Sequence, residues 1–196
     1  CAIHPREETD FYIGGSQDNG TEVVNMPGLS SSIDVGGGDG AFCHIDQLNP
    51  DIVVRSSQRG NYTISRGPNF TNNTFFSVPG STYFINPSDY DDLDKILYMS
   101  SDAGEVHWLN VINNVDDSIL VSAASNDRIS ALLVDPTDNN VLYVGTNNGK
   151  VIRITNPRTE DVTSELLFNR NGFLRNIEVD PSNNNRLLCT YSNFNV

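Results

Sequence analysis

The chain has 196 residues, 37% of them hydrophobic, and its 25 acidic and 12 basic side chains give a formal net charge of −13. Such a surface repels nucleic acid and anionic lipid, so neither is an expected partner. A membrane-spanning helix needs about 20 successive apolar residues; no such run occurs, and no membrane insertion is expected.

In chain order, the apolar segments fall into five copies of one pattern. A strand closes on His, Asp or Asn, a Pro usually follows, and a second strand starts soon after. The copies are Ile3-His4-Pro5, Ile45-Asp46 (with Pro50 delayed), Ile85-Asn86-Pro87, Val134-Asp135-Pro136 and Val179-Asp180-Pro181. Their second strands carry Phe11-Tyr12, Val53-Val54, Leu97-Tyr98, Leu142-Tyr143 and Leu187-Leu188. With Tyr12, Val54, Tyr98, Tyr143 and Leu188 taken as equivalent, the steps are 42, 44, 45 and 45 residues. A period of this size, made of short strands and lacking any three-turn apolar stripe, predicts the blades of a β-propeller.

Alternation refines the pattern. One residue before the closing position stand Ile3, Ile45, Ile85, Val134 and Val179; three before it stand Cys1, Cys43, Tyr83, Leu132 and Ile177. These share one face of each first strand and are expected to be buried. Gly60, Gly104 and Gly149 each follow the second-strand marker by six residues, as hairpin glycines would. In the first copy Gly15 to Asn19 lengthen the hairpin to Gly20. The fourth copy predicts strands at 129–134, 141–146, 150–155 and 162–167. The fold expected is all-β, a single β-propeller segment of four-stranded antiparallel blades over 1–196. The blades run at about 1–36, 37–80, 81–124 and 125–170, with a partial blade at 171–196. About four and a half blades make an incomplete arc of a larger propeller, whose open strand edges seek the remaining blades or a second chain.

The acidic runs Glu7-Glu8 and Asp91-Asp92-Leu93-Asp94 read as solvated loops. The register places Cys1 inside a first strand, which argues against a lipid-modified terminus. Cys1 and Cys43 occupy equivalent places on neighbouring strands, too far apart for a disulfide, and act as small buried hydrophobes. Asn19, Asn61, Asn69 and Asn72 each begin an Asn-x-Ser/Thr sequon, relevant only in a eukaryotic secretory host.

The run Tyr12-Ile13-Gly14-Gly15-Ser16-Gln17-Asp18-Asn19-Gly20-Thr21, followed by Gly36-Gly37-Gly38-Asp39-Gly40, resembles the secreted BNR-type, sortilin-like propellers of large bacterial exported proteins. The strand-Asp-Pro-strand punctuation carries the resemblance along the chain. It implies a secreted or cell-surface module of glycosyl-hydrolase-like build. The strict Asp-box Ser-x-Asp-x-Gly-x-Thr-Trp is absent; Ser101-Asp102-Ala103-Gly104 ahead of Trp108 is a degenerate echo. The arginines are scattered, so sialidase chemistry is not implied.

In propellers of this build the second hairpin loop and the loop between blades share one rim. Gln17, Asp18, Asn19 and Asp39 are therefore expected to meet there, with Asp102 as a further ligand-binding candidate. Asp18, Asn19 and Asp39 would suit calcium as hard oxygen ligands, or their acids would bond to backbone amides in tight turns; no other cofactor is expected. Paired as catalytic carboxylates, Asp18 and Asp39 would serve a glycosidase, yet no aromatic platform adjoins them. Trp108 is expected in the core, His107 on the surface, and His4 and His44 at strand positions without a nucleophile. The expected function is a non-catalytic module binding glycans or proteins, with a xyloglucanase-like hydrolase fragment as the alternative.

Overall fold

The computed structural model describes residues 1–6, 11–26, 28, 31–180 and 182–192. Glu7-Glu8, Pro181 and the stretch up to Val196 lie outside them. The described residues form five antiparallel sheets, each with its strands in sequence order. The first sheet holds β1 (Ala2–Ile3), β2 (Tyr12–Ser16), β3 (Gly20–Val24) and β4 (Ile33–Gly36). The second holds β5 (Cys43–Ile45), β6 (Ile52–Ser57), β7 (Asn61–Arg66) and β8 (Thr74–Ser77). The third holds β9 (Ser88–Asp91), β10 (Ile96–Ser100), β11 (Glu105–Asn110) and β12 (Asp116–Leu120). The fourth holds β13 (Ile129–Val134), β14 (Val141–Thr146), β15 (Lys150–Thr155) and β16 (Thr163–Asn169). The fifth has two strands, β17 (Phe173–Asp180) and β18 (Asn183–Ser192). The chain is thus all-β, and four of the five sheets among the described residues are four-stranded. It divides into two compact units: residues 1–78 with 83–86, and 79–82 with 87–196.

Within each unit the face predicted from alternation packs onto the preceding sheet. Cys43 and Ile45 meet Ile13 and Val23 of the first sheet. Leu132 and Val134 meet Ile96, Tyr98, Val106 and Ile119 of the third. Ile177 and Val179 meet Val141, Tyr143 and Val151 of the fourth. Burial of side chains of this size contributes roughly 1.5–3 kcal/mol each, which is why the alternation specifies the register.

Four expectations need correction. Ile3 is 66% exposed and Cys1 is exposed too. Their face of the first sheet is the one that would meet a preceding sheet, and none covers it among the described residues. Tyr12, paired with Ile3, shares that exposed face, so Ile13 is the true equivalent of Val54. In the third sheet the first strand is Ser88–Asp91 rather than the stretch around Tyr83 and Ile85. Ile85 is exposed, and Asn86 instead accepts the Tyr83 N–H in a local turn. Asp91, buried and placed like Asp46 and Asp135, is the closing residue there. Finally, His107 is buried, its Nε2 2.9 Å from Asp116 Oδ2. Alternation puts it on the opposite face of β11 from Trp108, which packs half-buried against the core.

The closing residues do one job. His4 Nδ1 accepts the Arg6 N–H (3.2 Å), Asp46 Oδ1 that of Leu48 (2.9 Å), and Asp91 Oδ1 that of Leu93 (2.9 Å). Asp135 Oδ1 accepts from Thr137 (2.8 Å) and Asp180 Oδ1 from Ser182 (2.9 Å). In every copy the acceptor takes the amide two residues on, the local turn that Asx side chains favour. Gly60, Gly104 and Gly149 then turn the second hairpins with positive φ.

Asp135 is buried and also accepts the Thr137 and Tyr143 hydroxyls. Asp135→Ala should therefore destabilise the second unit by roughly 1–3 kcal/mol by leaving the buried Tyr143 hydroxyl unpaired and removing the turn bond to Thr137, and Asp135→Asn by less. Urea unfolding followed by fluorescence of Trp108, the only tryptophan, measures the difference.

Candidate functional site

The rim loops of the first unit meet as predicted. Asp39 Oδ1 accepts the Asp18 N–H at 2.9 Å, and the Gly40 N–H donates to Ser16 O at 3.1 Å. The Asp39 N–H in turn donates to Gln58 Oε1 at 2.9 Å. The approach is close enough that a Cβ on Gly40 would lie 1.9 Å from Gly20 O, and one on Gly20 2.0 Å from Gly36 O. Only glycine fits such backbone contact.

This arrangement repeats. Asp102 Oδ1 accepts the Ser81 N–H (2.8 Å), and Asn147 Oδ1 accepts the Arg128 N–H (2.9 Å). Gln58, Asp102 and Asn147 each stand two residues before a hairpin glycine. In all three the side-chain oxygen latches the hairpin to the loop entering that sheet.

Of the predicted site residues, Asp39 and Asp102 thus spend an oxygen on a backbone amide. Asp39 bonds the neighbouring loop rather than its own turn. Asp18 is exposed at φ +63, and among the described residues its carboxylate has no hydrogen-bond or ionic partner. Asn19 Nδ2 donates to Gln17 O at 3.3 Å, which keeps Gln17 and Asn19 together on the exposed turn. Among the described residues no group of three or more His, Cys, Asp or Glu side chains is placed to hold a metal ion. The calcium expectation rests on two carboxylates and an amide, with one carboxylate oxygen already in the latch.

Sequence reasoning missed a second location. A pocket of about 520 Å³ in the first unit is lined by Val35 and Gly36 of β4, Arg55 of β6, Tyr62 of β7, and Asn73 and Phe75 near β8. Arg55, only 6% exposed, donates to Val35 O, to Ser65 Oγ (3.2 Å) and more loosely to Asn73 Oδ1 (3.5 Å). Burial lowers its pKa, and no carboxylate opposes the shift.

No protein-family model and no curated protein matches this chain.

Two titratable groups on first strands are strongly perturbed. Burial, helped by Asp92 and Glu178, pushes Asp89 up to about 7 even though its Oδ2 accepts the Val134 N–H at 2.7 Å. Burial pulls His44 down to about 4. The signs are opposite. Folded Asp89 holds its proton more tightly than unfolded Asp89, so its contribution is intact below about pH 4 and is lost as pH rises towards 7. His44 contributes above its ordinary 6.5, and that contribution is lost as pH falls towards 4.

Asp89→Asn keeps an oxygen for Val134 and removes the ionisation. Its melting-temperature gain in the second unit, read by Trp108 fluorescence, should be larger at about pH 8 than at about pH 4. At the rim, Asp39→Ala should speed hydrogen exchange at the Asp18 amide, and Asp39→Asn should largely preserve protection. Both are measured by amide exchange at neutral pH.

Proposed function

We propose that the chain is a non-catalytic binding or scaffold module of a secreted or cell-surface protein, contacting glycans or proteins through its rim loops. The observation that carries this reading is the fate of the acidic candidates. Asp39 and Asp102 hold loops together, leaving exposed Gln17, Asp18 and Asn19 as a contact surface without a catalytic partner set. The sheets are read as blades of an incomplete propeller of the BNR-type, sortilin-like kind that the glycine-rich strings resemble. The bare faces at Ile3 and Tyr12 and at Leu188 (68% exposed) support completion by further blades or a second chain.

The test is a panel of β-glucans and other polysaccharides, assayed for binding and for new reducing ends. Binding without hydrolysis, weakened by Asp18→Ala, is the expected result. Hydrolysis abolished by both Asp18→Ala and Asp39→Ala would establish the glycoside hydrolase alternative instead.

A further inference from the structure

Repeats supply an internal control for every position. Pairing registers align Arg55 with Met99 and Val144, and Ser65 with Leu109 and Ile154. Met99, Val144, Leu109 and Ile154 are all buried and apolar. The second sheet alone of these three gives both core positions to polar groups, a guanidinium and a hydroxyl. A local departure from the rule that builds the rest of a fold marks a functional or strained place.

The guanidinium has no counter-ion among the described residues, in a chain carrying 25 acidic residues. Buried charges are normally paired, and of its five N–H donors the Nε–H is buried without any partner among the described residues. Beside it the turn after β7 is held in a sparsely populated conformation: Asn69 and Phe70 have φ +54 and +59. For a bulky aromatic residue this is a genuine outlier. It brings the Phe70 ring to 5.2 Å from the Arg55 guanidinium carbon, a cation–π contact, and stacks it on Phe11 at 6.1 Å.

We propose that this pocket binds a small organic carboxylate, with Arg55 as its counter-ion. Arg55 lines the pocket and supplies the positive charge and a charge-assisted hydrogen bond from its guanidinium, the amides of Asn61 and Asn73 supply polar contacts, and Phe70 and Phe75 flank the ligand's body. The site does not depend on the rim-loop reading, and either can fail alone.

Benzoate and glucuronate are the probes, with benzamide and glucose as neutral controls, titrated against the whole chain by calorimetry. At least one carboxylate should bind, with its neutral control at least about tenfold weaker, as expected for loss of a charged hydrogen bond. Arg55→Met/Ser65→Leu installs the residues found at Met99 and Leu109, so it should fold and lose carboxylate binding. Phe75→Ala, at a position 80% exposed, should weaken binding without shifting the melting temperature. Failure of both carboxylates to bind, binding that survives Arg55→Met/Ser65→Leu, or equal binding of the neutral controls would each overturn the proposal. The rim-loop reading would still stand or fall on Asp18.

Discussion

One hydrogen bond organises this chain: a side-chain acceptor at the end of each first strand takes the amide two residues later. It ends the strand and bends the chain back so that the second strand pairs with the first. Four carboxylates and one imidazole perform it, in five copies. Because the turn fixes register, it also decides which side chains face the preceding sheet. A residue slipped by one place would send that face to solvent. Packing within each unit follows from this local interaction, and the latches at the hairpin glycines add a second tie at the rim.

Most of the architecture was legible because turn chemistry and alternation agree. The fourth copy shows this best: β13, β14 and β15 fall at the predicted residues, and β16 begins one residue later than expected. The third copy misled because it holds two closing candidates. Asn86 is followed by Pro87, whereas Asp91 has no proline after it; the hydrogen bonds to Leu93 and Asp94 belong to Asp91. Proline accompanies the turn but does not make it. The first copy misled for another reason. Its apolar Ile3 and Tyr12 look like core residues, but burial depends on a neighbouring sheet, which a strand's own pattern cannot reveal.

At the candidate site the sequence placed the loops of Asp18 and Asp39 beside each other, and they do meet. It could not tell whether their acids face a ligand or an amide. Asp39 has the Asp18 N–H within reach of its carboxylate, whereas Asp18, turned out at φ +63, has no such partner among the described residues. Arg55 was harder still, since a lone arginine in a strand usually lies at the surface. Its signal is comparative, emerging only when the repeats are aligned by pairing register and an arginine falls where methionine and valine stand elsewhere.

The glycine contacts at the first rim bear on how this protein tolerates change. At Gly20 and Gly40 the obstacle to any side chain is backbone oxygen, which no neighbouring rotamer change can relieve. Core positions, by contrast, accept exchanges among apolar residues of similar volume. At this corner, therefore, a strand-end glycine and a loop glycine should resist replacement more strongly than the apolar positions inside the sheets.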